Sequence, residues 1–145
     1  MPQPHPPSVS ETELDILKVL WDHGPGTVRE INELLRARGR DWAYTTVLTL
    51  LQRLEAKGIV SSDKTGLAHV FRPEVTRKKL IKERLKDLAN QFCAGTATPL
   101  VQALVEGQRF TAEEISHFRR LLDTLEGNEG KRQKGTGKDR KGSKA

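Results

Sequence analysis

Apolar residues recur at helical spacing from Ser10 onward. Leu14, Leu17 and Trp21 stand at i, i+3 and i+7, and Ile16 and Leu20 widen the stripe. Ser10 and Glu13 form a capping box ahead of it, and the breaker cluster His23-Gly24-Pro25-Gly26 ends it. A second capping box, Thr27 with Glu30, opens a shorter helix with Ile31, Leu34 and Leu35, which stops at Arg38-Gly39. The third predicted helix starts just after Trp42 and stops at Lys57-Gly58, with Gly58 as its C-terminal cap. The period then changes. The runs IVSS (59–62) and HVFR (69–72) read as strands flanking Asp63-Lys64-Thr65-Gly66, a polar turn whose glycine is expected at positive φ. Three short helices followed by a hairpin is the order of a winged helix-turn-helix.

The second half carries three further amphipathic patterns. A helix is expected from Thr76 to about Phe92, with Ile81, Leu85, Leu88 and Phe92 spaced 4-3-4. A Gly/Thr/Pro break at 95–99 precedes a short apolar helix, PLVQALV. Thr111 and Glu114 then form a third capping box before Ile115, Phe118, Leu121, Leu122 and Leu125. Helices of this size cannot bury such stripes alone, so pairing with a second copy is expected; folding back onto the winged domain is the alternative. The expected chain is mainly α: a disordered proline-rich start (1–9), a winged-helix DNA-binding domain (10–75), a helical dimerisation domain (76–126) and a disordered basic tail (127–145).

Charge sharpens this picture. The chain of 145 residues has a formal net charge of +6, most of it in the last eighteen residues, where seven Lys/Arg face two Asp/Glu. Residues 40–79 are also basic, eight Lys/Arg against four Asp/Glu. Such a distribution suits an anionic partner, above all nucleic acid. Cys93 is the single cysteine, which excludes an intrachain disulfide and a zinc cluster, and the four histidines lack ligand spacing. No cofactor or metal is expected, and no nucleotide loop or nucleophile motif suggests an enzyme. No apolar run approaches a membrane span and no signal-peptide pattern opens the chain, so a cytoplasmic protein without membrane insertion is expected.

The third helix contains Thr45, Thr46 and Thr49, although threonine is a poor helix former. Projection at about 100° per residue gathers Val47, Leu50, Leu51 and Leu54 on a core face. Thr45, Thr49, Gln52 and Ala56 lie nearly opposite, with Thr46 and Arg53 on one shoulder and Leu48 on the other. A small, polar outward face edged by cations is what a helix needs to enter a major groove, with hydroxyls and methyls for base edges. Arg53 suits a phosphate or a guanine, and Lys57 a phosphate. Capping by Thr45 or Thr46, and pairing of Arg53 with Asp41 or Glu55, are the purely structural alternatives.

The same residues carry a family resemblance. Trp42, Thr45, Thr46, Val47, Thr49, Leu51, Arg53, Leu54, Lys57 and Gly58 reproduce a run that resembles the penicillinase-repressor family of bacterial transcriptional repressors, the BlaI, MecI and CopY type. The opening ELDILKVLW (13–21), Gly66 and Phe71-Arg72-Pro73 fit as well. The resemblance covers about residues 10–125. It implies a homodimeric repressor whose recognition helices read a palindromic double-stranded DNA operator in successive major grooves. By resemblance Thr46 and Thr49 approach bases, Tyr44, Thr45 and Arg53 hold the backbone, and Lys64 on the wing reaches a neighbouring phosphate. Leu48 is a departure, because several relatives carry a polar or basic residue there.

The resemblance also bears on release. Copper-responsive members use a C-terminal cysteine cluster that a lone Cys93 cannot build. Antibiotic-responsive members are cut within the dimerisation helices after a membrane sensor-protease is triggered. The corresponding bond here joins Ala103 to Leu104 instead of the family's Asn–Phe pair. Two other readings remain: a non-specific architectural DNA-binding protein relying on the basic tail, and a winged-helix protein–protein adaptor.

Overall fold

The computed structural model describes residues 8–142, with side chains through residue 130. Two compact units divide between residues 95 and 96.

In the first unit, α1 (Glu11–His23), α2 (Val28–Ala37) and α3 (Tyr44–Ala56) enclose one core with a small sheet. Ser10 and Thr27 cap α1 and α2 through their hydroxyls, which accept the N–H groups of Glu13 and Glu30. Both helices of the helix-turn-helix end in the same way. Gly39 (φ 85°) and Gly58 (φ 75°) take the left-handed conformation just past the C-caps Arg38 and Lys57. The N–H groups of Arg40 and Ile59 then reach back to the carbonyls of Leu35 and Leu54, closing Schellman motifs that aim the chain sharply away.

The hairpin is β2 (Val60–Asp63) and β3 (Val70–Pro73), antiparallel, with Ser62 opposite Phe71. A third strand, β1 (Gly26–Thr27), pairs with the other edge of β3 and gives the order β1-β3-β2. The pattern of the sequence missed β1 because two residues show no alternation and Thr27 reads as a cap. The hairpin loop also differs from expectation. It spans the six residues 64–69, and Gly66 is not in the left-handed region. Instead the Asp63 carboxylate accepts from the Thr65 N–H at 3.0 Å and hydroxyl at 2.6 Å, so an Asx turn does the work assigned to glycine.

Core residues come from every element of the wing and the three helices. Ile16, Leu17, Leu20, Ile31, Leu35 and Phe71 are fully buried, as are Val47, Leu51 and Leu54. Val9 is buried among them, so the expected disorder of 1–9 does not hold at its last residue; residues 1–7 lie outside the described part. An apolar side chain beside the start of α1 gains more by burial than by following the proline-rich segment.

Helix α4 (Arg77–Phe92), capped by Thr76, belongs to this first unit, so the expected domain boundary at 75/76 falls inside it. The cause is specific. Leu80 and Val75 pack on the core, and the Trp21 indole N–H donates to the Val75 carbonyl at 2.9 Å.

The second unit holds α5 (Thr98–Gly107) and α6 (Ala112–Gly142). The third capping box is complete: Thr111 and Glu114 exchange hydrogen bonds of 3.1 Å between backbone N–H and side chain. Phe110 and Phe118 meet edge to face, with centroids 5.2 Å apart. Where a disordered tail is expected from 127, α6 continues to Gly142; residues 143–145 lie outside the described part. Long straight-chain residues outnumber the glycines there, and Lys/Arg near a helix C-terminus complement its dipole.

Candidate nucleic-acid interface

Helix α3 shows the two faces its sequence predicts. Val47, Leu50, Leu51 and Leu54 are buried, while Thr45, Thr46, Thr49, Gln52 and Arg53 are exposed and Leu48 is half-buried. Neither Thr45 nor Thr46 caps the helix: the N-cap is Ala43, without a side-chain cap bond. The alternative partners of Arg53 are also engaged elsewhere, Asp41 with Arg36 at 3.4 Å and Glu55 with the Ser62 hydroxyl at 2.6 Å. The guanidinium therefore stands without an ion pair among the described residues.

Thr49 donates its hydroxyl to the Thr45 carbonyl at 2.8 Å. Its hydrogen is thus spent on the helix, and what it presents outward is a methyl and the oxygen's free lone pair. Such a group accepts from a base amine or packs on a thymine methyl. Tyr44, half-exposed at the start of α3, lines a cleft together with Leu48 and Gln52 and with Leu67, Ala68 and His69 of the wing. Thr27 and Arg29 close its other side. Gln52, Leu67 and His69 were not singled out from the sequence as site residues. Leu67 is fully exposed at the hairpin tip, a signal the sequence does offer as an apolar residue in a polar turn.

Lys64 is exposed at the start of the wing loop and does not line that cleft. Hydrogen bonds from the Thr65 hydroxyl and N–H, with a smaller contribution from the Arg72 charge, hold the Asp63 carboxyl below its usual range. The loop thus carries a fixed anion beside Lys64, which lowers its net positive charge.

Lys57 leaves the interface. Its ammonium donates to both Glu13 oxygens, at 2.8 and 2.7 Å, and to the Ser8 carbonyl at 2.8 Å. The side chain is only 26% exposed and that of Glu13 4%. A lysine with all three protons given to protein acceptors has none left for a phosphate, so its role is to lock the end of α3 to α1. Burial pushes the Glu13 carboxyl up, but hydrogen bonds from Lys57 and Ser10 and the Lys57 charge prevail and hold it below its ordinary value.

Ala103 and Leu104 lie in the middle of α5, both exposed. Among the described residues there is no group of His, Cys, Asp and Glu that could hold a metal ion, and no helix is long and apolar enough to cross a membrane.

The family model described as penicillinase repressor matches residues 9–124, spanning the winged unit and the amphipathic helices alike. The chain belongs to the penicillinase repressor family. It is 28% identical over 117 residues to the penicillinase repressor of Bacillus licheniformis, covering 81% of this chain and 91% of that one. Identity with the transcriptional regulator BlaI of Mycobacterium tuberculosis is 36% over 126 residues, 86% of this chain and 89% of the relative. Among solved structures, the solution structure of the DNA binding domain of the repressor BlaI is similar over 54% of this chain and 93% of that one, with 28% identity and a TM-score of 0.45. The Bacillus licheniformis BlaI monomeric form in complex with the blaP half-operator matches over 51% and 89%, with 30% identity and a TM-score of 0.44.

Proposed function

We propose that this chain is a DNA-binding transcriptional repressor that binds a palindromic operator as a homodimer. The observation that carries the reading is the outward face of α3, where Thr45, Thr46, Thr49, Gln52 and Arg53 stand exposed opposite a fully apolar face. Thr46 and Thr49 approach base edges, Arg53, Tyr44 and Thr45 hold the sugar-phosphate backbone, and Lys64 adds a phosphate contact from the wing. The membership in a repressor family, with relatives named as repressors and regulators, supports the same reading.

Dimerisation is supported by what the single chain leaves uncovered. Ile81, Leu85, Leu88 and Phe92 of α4 are exposed at helical spacing, as are Val101, Leu104 and Val105 of α5 and Leu121, Leu122 and Leu125 of α6. An apolar stripe left exposed along each of these helices marks an interface. A second copy is the occupant that also supplies the second recognition helix. Release follows from a cut in α5 between Ala103 and Leu104, made after a membrane sensor-protease is triggered. Splitting that helix removes interface area and leaves each winged unit with half of the DNA contacts.

Two measurements test the reading together. Sedimentation of the purified chain at micromolar concentration is expected to give a dimer. An anisotropy titration is expected to show much tighter binding to a duplex with two half-sites than to one with a single half-site. A monomer that binds both duplexes and random DNA alike overturns it, and that result favours an architectural DNA binder. Mass spectrometry of the repressor from induced cells checks the release step, which an intact chain under full derepression would exclude.

A further inference from the structure

The helix-turn-helix and the first two turns of α4 are fastened to each other across both ends of α1. At the C-terminal end, Asp22 accepts from Arg38, the C-cap of α2, at 2.7 Å and from Arg77, in the first turn of α4, at 2.9 Å. The Arg77 guanidinium also lies 5.3 Å from the centre of the Trp21 ring, beside the Trp21–Val75 hydrogen bond. At the N-terminal end, Lys57 at the close of α3 holds Glu13 and the Ser8 carbonyl, and Arg84 of α4 donates to the carbonyl of the next residue, Val9. Arg77 and Arg84 stand seven residues apart, so they lie about two turns apart on one face of α4. One grip would fix only a point on the helix; two fix its direction and its rotation.

We propose that Asp22 and Arg77, with Arg84 as the second grip, are positioning residues that set the angle between α3 and the apolar stripe of α4, and so the half-site spacing the dimer accepts. The proposal rests on the dimeric operator reading above. Arg38 immediately precedes Gly39 in the turn that leads into α3, so Asp22 fastens the segment that aims the recognition helix. On α4, Ile81, Leu85 and Leu88 follow next to the two arginines around the helix, so a grip on one fixes where the other faces. Adding one base pair between half-sites turns the second one by about 35° around the duplex, since a turn takes 10–10.5 base pairs. A firmly held α4 cannot follow that rotation, whereas a loosened one can. The Asp22 side chain is 42% exposed and its partners are partly exposed, so the bridges add little to overall stability. Their effect falls on geometry, and that separates a positioning role from a merely structural one.

The experiment uses the full chain, Asp22→Asn, Arg77→Gln and the charge-retaining Asp22→Glu. Binding is titrated on duplexes whose two half-sites are moved apart or together one base pair at a time, with a single half-site as control. The parent is expected to lose about tenfold in affinity per base pair of displacement. In Asp22→Asn and Arg77→Gln that loss is expected to shrink to about threefold or less, with Tm nearly unchanged. In Arg77→Gln, which leaves the Asp22–Arg38 bond in place, single half-site affinity is expected to stay near the parental value. Asp22→Glu is expected to restore part of the discrimination. Amide exchange of residues 76–84 in the DNA-free protein is expected to be several-fold faster in the two neutral variants. A parental spacing profile in Asp22→Asn and Arg77→Gln overturns the proposal, as does unchanged exchange. A parent that ignores the second half-site instead sinks the dimeric reading and the spacing role with it, while exchange still decides whether Asp22 grips α4.

Discussion

Thr49 shows how one side chain can serve helix and groove together. Its hydroxyl hydrogen is fixed on the Thr45 carbonyl, so the outward group has a fixed orientation and no rotamer to lose on meeting DNA. Replacing Thr49 with alanine is expected to improve helix propensity, yet to weaken operator binding and relax preference at one base pair per half-site. The wrong pair there costs about 1–3 kcal/mol in such interfaces. Thr49→Val, which keeps the methyl and removes the acceptor, separates the two contributions. Arg53→Ala is expected to act differently, weakening every sequence nearly equally and lowering the salt slope by about one counterion for each phosphate left unneutralised. Titrations on a selected operator and its single-base variants, at two salt concentrations, check both. Should Thr49→Ala bind every variant as the parent does, the threonine is structural only.

At the scale of elements, the Lys57–Glu13 lock governs how firmly α3 is seated. Lys57→Met leaves a nearly buried carboxylate without its cation and is expected to cost about 2–3 kcal/mol in chemical denaturation, less than a fully buried pair because Lys57 is partly exposed. The pH dependence follows from the same ion pair. Glu13 titrates below its ordinary value of 4.5 in the folded chain, so the unfolded chain binds the proton more tightly. Its contribution is complete above that ordinary value and fades as pH falls through the lowered one. Denaturation midpoints measured from neutral pH down into that range are expected to drop more in the parent than in Glu13→Gln. This lock also marks the limit of what the sequence discloses. Periodicity and capping boxes revealed α1, α2, α3 and the hairpin, because those signals are local. Periodicity also placed the threonines outward, since the 3.6-residue repeat alone decides that. Lys57 lies at the end of the same helix, and its charge there reads as a phosphate ligand; its true partner is forty-four residues away and no local pattern reports it. The attachment of α4 to the winged unit escaped for the same reason, while β1 is too short to show alternation and the Asx turn at Asp63 is a local alternative to the glycine turn that the same four residues suggest.

For the whole molecule the decisive quantities are how many recognition helices act together and how much of the affinity is sequence-blind. The exposed stripes of α4, α5 and α6 bear on the first. Leu121→Asp places a charge on an apolar face, and if that face is shared between two copies the cost is several kcal/mol of association free energy. The variant is expected to sediment as a monomer with its winged unit still folded, and to bind a single half-site as the parent does. The basic end of the chain bears on the second quantity. Deleting residues 130–145 removes seven of the 25 Lys/Arg and one acidic residue. Each phosphate that the shortened chain leaves unneutralised should reduce the slope of log affinity against log salt by about 0.9, because its counterions are no longer released. Phosphate contacts carry no base information, so the ratio of operator to random-DNA affinity at a fixed salt concentration is expected to stay near the parental value. Binding of the truncated and full chains to both DNAs across a salt series measures slope and ratio in one experiment. If the full chain bound operator and random DNA alike, and truncation removed binding to both while α3 remained intact, affinity would reside in the basic segment, and the molecule would coat DNA instead of reading an operator.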